Sequence, residues 1–173
     1  DGSFFLIDPL ELSDLGVLAG ILEDPGIEKI FHDADFDLRI LDRDLGLRVR
    51  NLFDTQIAAA FLGAPSLGLG AVVERYLGVS LPKAYQRADW AERPLTEGMR
   101  EYAATDTAHL PPLRDRLLVE LEARGRAEWA REEFARREGT RWTPPEDADE
   151  AFLRIKGARD LTPRGLAILR GIH

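Results

Sequence analysis

Two short apolar runs, "EKIFH" at residues 28–32 and "RNLF" at residues 50–53, each lead directly into a segment with helical periodicity. After the first, "DADFDLRILDRDLGL" carries Phe36, Ile40, Leu41 and Leu45 at helical spacing and closes on Gly46. After the second, one helix is predicted from Thr55 to Leu62 and another from Gly68 to Leu77. Alternation of strand and helix in this order confines the chain to the α/β class.

The flanking segments extend that reading. Residues 4–7 read as a short buried strand following Asp1-Gly2, a favoured hairpin turn. "LSDLGVLAGILEDPG" predicts a helix with Ser13 or Asp14 as its cap and Pro25-Gly26 at its end. "GVSLPKAYQRADW" is irregular. Thr96 is placed to cap a long helix, which Pro111-Pro112 should kink. "RAEWAREEFARRE" is a charged amphipathic helix, "GTRWTPPEDAD" a linker, and a new apolar period begins at Phe152. The expected organisation is an α/β domain over residues 1–143 and the beginning of a small all-α domain over 144–173. A hairpin turn with no strand before it, and a C-terminus inside an apolar helical pattern, read as the ends of a fragment.

Charge and cysteine usage limit the chemistry. With 31 acidic residues against 23 Lys and Arg, the formal net charge is −8. Such a chain does not attract nucleic acid through its overall field, so any phosphate binding must be local or metal-assisted. The absence of cysteine excludes disulfides, thiolate metal sites and a Cys nucleophile. No apolar run has the length of a membrane span and the first residues do not resemble a signal peptide, which sets the expectation of a soluble cytoplasmic protein with no membrane partner.

Two stretches carry residues suited to chemistry. In "EYAATDTAHL", Tyr102 and Asp106 lie four apart, on one face of a helix with Cβ atoms roughly 5–6 Å from each other. The same spacing also describes a half-buried Tyr beside a solvated Asp. In "FHDADFDLRIL", a strand leads into a helix bearing Asp33, Asp35 and Asp37. The helix dipole explains at least one acid in a first turn without any function. Asp37 differs, being flanked by Phe36 and Leu38 and one turn past Asp33. Carboxylates at strand ends in α/β folds commonly face the ligand crevice.

Taken in order, "KIFHDADFDLRIL", "LFDTQIAAAFLG" and "QRADW…RPLTEGMREYAATD" resemble the ribonuclease D family of 3′-to-5′ exonucleases, in its tyrosine-bearing, four-carboxylate branch. The resemblance covers nearly the whole chain. It implies a ribonuclease H-like exonuclease fold and two-metal hydrolysis of phosphodiester bonds at RNA 3′ ends by the parent protein. By that analogy Asp37 and Asp106 help hold two Mg²⁺ or Mn²⁺ ions, and Tyr102 orients the attacking water. Hard divalent cations prefer carboxylate oxygens, and a neutral phenol can hydrogen-bond a nucleophile without competing for a cation. Lys83, Gln86 and Arg87 fall in the loop that the family places beside a single-stranded RNA 3′ end. Solvation of a surface loop explains those residues equally well. His32 ends a strand, where a structural hydrogen bond competes with a substrate-binding role. Trp90 reads as a packing anchor, and His109 is assigned no role.

The pattern is incomplete in this chain. The family's first motif, an Asp-x-Glu on a strand, is absent, and Asp8, Glu11 and Asp14 do not form it. The first strands of the fold are therefore expected from the parent protein or another segment. Asp33 stands where many relatives in the wider superfamily have Asn. "EAFLRIKGARDLTPRGLAILRGIH" resembles the opening of the helical nucleic-acid-binding domain shared by RecQ-type helicases and ribonuclease D, with Lys156, Arg159 and Arg164 as candidate backbone contacts. Two alternatives stand beside the exoribonuclease: a non-catalytic nucleic-acid-binding module of the same fold, and a DNA 3′-to-5′ exonuclease.

Overall fold

Strands β1 (Lys29–Phe31) and β2 (Leu52–Asp54) pair in parallel, with Lys29 opposite Leu52, Ile30 opposite Phe53 and Phe31 opposite Asp54. The computed structural model describes residues 4–12, 14–82, 84–85, 88–144 and 157–172. It divides into two compact units, Asp1–Arg141 and Trp142–His173.

In the first unit a 3-10 turn (Gly16–Leu18) runs into α1 (Ala19–Leu22), far shorter than the helix predicted there. Leu15 at its start offers no side-chain cap, and Asp14 instead accepts the Gly16 N–H at 2.8 Å in a local turn. Ser13 lies outside the described residues. β1 is followed by α2 (Asp35–Leu45), which ends on Gly46 in the left-handed conformation (φ 64°). β2 leads directly into α3 (Thr55–Phe61), then α4 (Leu69–Leu77), closed by Gly78 (φ 70°). The crossover from β1 through α2 to β2 is the βαβ arrangement that the two apolar runs imply.

The long helix predicted after Thr96 is two helices, α5 (Glu97–Ala108) and α6 (Leu110–Ala123), which meet at His109. Thr96 caps α5 by accepting the Met99 N–H at 3.3 Å. Pro111 and Pro112 sit in the first turn of α6, where a missing N–H removes no helical hydrogen bond, so they start a helix instead of kinking one. α7 (Ala127–Glu138) completes the unit. Its Glu138 carboxylate accepts the Leu52 N–H at 2.9 Å, satisfying a donor of β2.

Leu113, Leu117 and Leu121 of α6 are fully buried against α3, α4 and α7. Phe53 and Phe134 meet there with ring centroids 4.8 Å apart. Residues 4–7 do not form the buried strand predicted for them. Among the described residues the sheet has two strands, paired with each other. Residues 4–7 hydrogen-bond to neither strand, and Phe4 (56%) and Phe5 (88%) are exposed.

In the second unit, a 3-10 turn (Ala158–Asp160) precedes α8 (Pro163–Ile172), where Thr162 accepts the Gly165 N–H at 3.3 Å. Phe152 and Ile155, predicted to begin its apolar period, lie outside the described residues.

Candidate active site

The two parallel strands end side by side, and each hands the chain to a helix at its C-terminal end. Asp54 closes β2 and is fully buried. Its Oδ1 accepts the N–H groups of Gln56 (2.9 Å) and Ile57 (3.3 Å), capping α3. The same oxygen accepts the Asp33 N–H at 3.1 Å, and Oδ2 accepts the Ala34 N–H at 2.9 Å. One carboxylate thus ties the start of α3 to the turn that launches α2. Sequence analysis assigned Asp54 no role, although an Asp closing a strand just before a helix is an N-cap signal.

The three aspartates after β1 have separate environments. Asp33 is exposed and holds a left-handed backbone (φ 59°), a conformation that Asp tolerates better than most residues. Asp35 forms ion pairs with Arg39 at 2.8 Å and Arg137 at 2.9 Å, and the Arg39 hydrogen bond holds its pKa below the usual carboxylate value. Asp37 has no cationic partner among the described residues. It retains solvent access, yet the protein crowding its carboxyl raises its pKa, and the charges of Asp33 and Asp54 raise it further.

His32 is half-buried beneath these acids. The Thr55 hydroxyl donates to the Phe31 carbonyl at 3.0 Å, so its oxygen takes the Nδ1–H of His32 at 2.9 Å. Nε2 is buried near the Leu67 backbone, outside regular hydrogen-bond geometry. Burial lowers the ring's pKa against the opposing influence of Asp54, favouring the neutral imidazole. The geometry of His32 is that of the structural hydrogen bond. The other three residues predicted to touch substrate, Lys83, Gln86 and Arg87, lie outside the described residues.

On α5, the Tyr102 hydroxyl hydrogen-bonds the Asp106 carboxylate. Burial raises the Asp106 pKa, and that hydrogen bond works against the rise. The Tyr102 ring lies against Tyr85, with centroids 6.0 Å apart, and Trp90, at 6.1 Å. Trp90 also donates its indole N–H to the Tyr85 carbonyl at 3.3 Å, the arrangement of a packing anchor. Nothing in the sequence around Tyr85 links it to Tyr102; only the fold brings the two rings together. Tyr102 and Asp106 line a cleft of about 490 Å³ together with Ser66, Gly68, Glu74 and Ser80.

Asp37 lies in the first turn of α2, after β1, and Asp106 lies on α5. The surrounding protein raises the pKa of both carboxylates, and Asp37, although exposed, is set among further negative charge. A divalent cation relieves that kind of unfavourable charge, so the donor chemistry fits a hard metal ion. The fit is partial, because among the described residues no group of three or more His, Asp or Glu side chains is gathered closely enough to hold one.

Residues 2–122 match the profile of a family described as 3′-5′ exonuclease. The chain belongs to that 3′-5′ exonuclease family. Within it, the chain is similar to ribonuclease D of Escherichia coli (strain K12), with 42% identity over 95% of this chain and 44% of the relative. The crystal structure of E. coli RNase D, described as an exoribonuclease involved in structured RNA processing, superposes with a TM-score of 0.71 at 39% identity, covering 94% of this chain and 44% of that one. The catalytic core of RRP6 from Trypanosoma brucei gives a TM-score of 0.77 at 34% identity over 87% of this chain and 43% of that one. Brucella melitensis NrnC with bound Mg²⁺ gives 0.65 at 32% identity over 70% and 59%. The chain spans less than half the length of the ribonuclease D that it matches. These similarities bear out the family read from the motifs. Among the described residues no helix is long and apolar enough to cross a membrane.

Proposed function

We propose that the protein to which this chain contributes removes nucleotides from RNA 3′ ends by metal-dependent hydrolysis. The observation carrying this reading is the Tyr102–Asp106 pair, hydrogen-bonded on one helix and lining a cleft, in a chain of the 3′-5′ exonuclease family. The similarity to E. coli RNase D favours RNA as the substrate.

Asp37 and Asp106 would hold the divalent ions, Mg²⁺ or Mn²⁺, with further carboxylates supplied elsewhere in the parent protein. When bound, such a pair of ions supplies Lewis acidity at both the attacking and the leaving oxygen. The Mg²⁺ in the related NrnC structure supports a divalent ion of this class. Tyr102 sets a phenol hydroxyl beside Asp106, suited to orient a water without displacing a cation. Its ring is braced by Tyr85 and Trp90, which limits the directions its hydroxyl can take. By residue type, Lys83, Gln86 and Arg87 suit contacts to the phosphates or sugars of a single-stranded 3′ end, and His32 contributes a structural hydrogen bond to Thr55.

In this reading residues 1–143 form part of a ribonuclease H-like exonuclease domain whose other strands and Asp-x-Glu acids lie elsewhere in the parent. The exposed apolar side chains of Phe4, Phe5 and Leu6 support it, since further strands would cover them. Residues 144–173 would open a helical nucleic-acid-binding domain, with Lys156, Arg159 and Arg164 facing a phosphate backbone. A cytoplasmic location accords with RNA as the substrate.

The test is an assay of the parent protein on labelled single-stranded RNA and DNA, with and without a chelator. Chelator-sensitive shortening of RNA from its 3′ end is expected. Equal or faster loss of DNA would reassign the substrate, and inactivity with retained RNA binding would establish the non-catalytic module.

A further inference from the structure

We propose that Asp54 is a positioning residue of this active site: it fixes the turn at Asp33 and Ala34, and so sets where the first turn of α2 presents Asp37. The inference rests on the metal-dependent reading above.

Four backbone donors converge on the Asp54 carboxylate, from Asp33, Ala34, Gln56 and Ile57. Capping α3 requires only the last two, and a single side-chain oxygen of Ser, Thr or Asn would serve. The remaining two donors come from a segment about 20 residues earlier in the chain, a separation the hydrogen-bond pairs themselves show. Those bonds use both oxygens, which only a carboxylate offers as acceptors.

The donors on that side need such an anchor. Asp33 holds a left-handed backbone, which a side chain makes uncommon. Ala34 is fully buried, and as the residue preceding α2 it has no side chain able to cap the helix. Asp54 does not take over that cap; it accepts the N–H groups of Asp33 and Ala34 themselves and so fixes the backbone immediately before the helix. Asp37 follows Ala34 by three residues, within the first turn of α2. A shift of the turn therefore moves the Asp37 carboxylate directly. Asp54 cannot itself ligate an ion, because its oxygens are occupied by four N–H groups and the residue is sealed from solvent.

The test uses the parent protein with Asp54→Asn and Asp54→Ser. The Asn variant can keep one oxygen on three donors while its amide N–H opposes the N–H of Ala34. The Ser variant keeps a cap for α3 alone. Leu121→Ala, in the core on α6, is the control for lost stability without a change at the turn. Mn²⁺ binding is measured by calorimetry without RNA, beside thermal unfolding of each protein. The expected result is a folded variant whose Mn²⁺ dissociation constant rises by tenfold or more, while Leu121→Ala melts earlier and binds Mn²⁺ as the wild type does. Mn²⁺ affinity within twofold of wild type in either folded variant overturns the inference. So does failure of both variants to fold, which would make Asp54 a residue of the fold and not of the site. Absence of Mn²⁺ binding by the wild type would instead remove the metal-dependent reading on which the inference stands.

Discussion

The Tyr85 hydroxyl occupies the space that a side chain on Gly98 would need. Gly98 is the second residue of α5, one turn before Tyr102, and its bare Cα lets a loop residue settle onto α5. That close approach places the Tyr85 ring against Tyr102. Gly98→Ala should push Tyr85 aside. The Ala side chain favours helix by about 0.5–1 kcal/mol, which offsets the lost packing, so the melting temperature should change little. Turnover in the parent protein should nevertheless fall several-fold, with Mn²⁺ affinity preserved. Unaltered steady-state kinetics would show that bracing by Tyr85 has no bearing on Tyr102.

Tyr102→Phe retains the ring contacts and removes only the hydroxyl. Turnover is expected to drop by about 10²-fold, the scale on which a positioned proton-handling group contributes. The Asp106 carboxylate loses the hydrogen bond that favours its charged form, so its pKa must rise further. Carboxyl NMR of the metal-free protein should show Asp106 titrating at higher pH in the variant than in the wild type. An unmoved titration would mean that the hydroxyl does not hold Asp106.

Asp37→Asn should stabilise the metal-free protein while abolishing productive metal binding. A folded-state pKa raised above the unfolded value means that ionised Asp37 opposes folding. The penalty is complete above the folded pKa and disappears below the unfolded one, so the variant's advantage should be present at pH 7 and absent near pH 3. Solvent screening keeps it small, roughly 1–2 °C in melting temperature. Asp106→Asn should weaken Mn²⁺ affinity and turnover together. Retention of both would reassign Asp106 to packing.

The Asp8–Arg93 pair, bonded twice at 2.5 and 2.7 Å, ties residues 4–12 to the loop before α5. The Arg93 hydrogen bond lowers the Asp8 pKa from 3.8. For such an acid the contribution to stability is present above the unfolded pKa and is lost as pH falls through the folded one. Arg93→Leu should therefore lower the melting temperature at pH 7 and flatten its decline below about pH 4. Parallel melting curves in wild type and variant across that range would show that the pair adds nothing.

Elements governed by local chemistry were legible in the sequence. Gly46 and Thr96 mark helix ends because a left-handed terminus and an N-cap each need particular residues at one position. The Tyr102–Asp106 pair was legible for the same reason, since helical spacing alone brings the two together. Whatever depends on distant partners was not. Residues 4–7 have the composition of a strand yet pair with neither strand among the described residues, and Asp54 gains half of its hydrogen bonds from residues 33 and 34. Pro111 and Pro112 were misread because a proline breaks a helix interior and suits a first turn, and only the break at His109 decides between the two.

That break at His109 separates two duties. α6 is anchored by Leu113, Leu117 and Leu121, whereas α5, which carries Tyr102 and Asp106, buries only Met99 among its described residues. With so little of α5 buried, a change in its tilt would leave the hydrophobic interior around α6 undisturbed. A single unbroken rod through both segments would have coupled every such adjustment to the melting of the core.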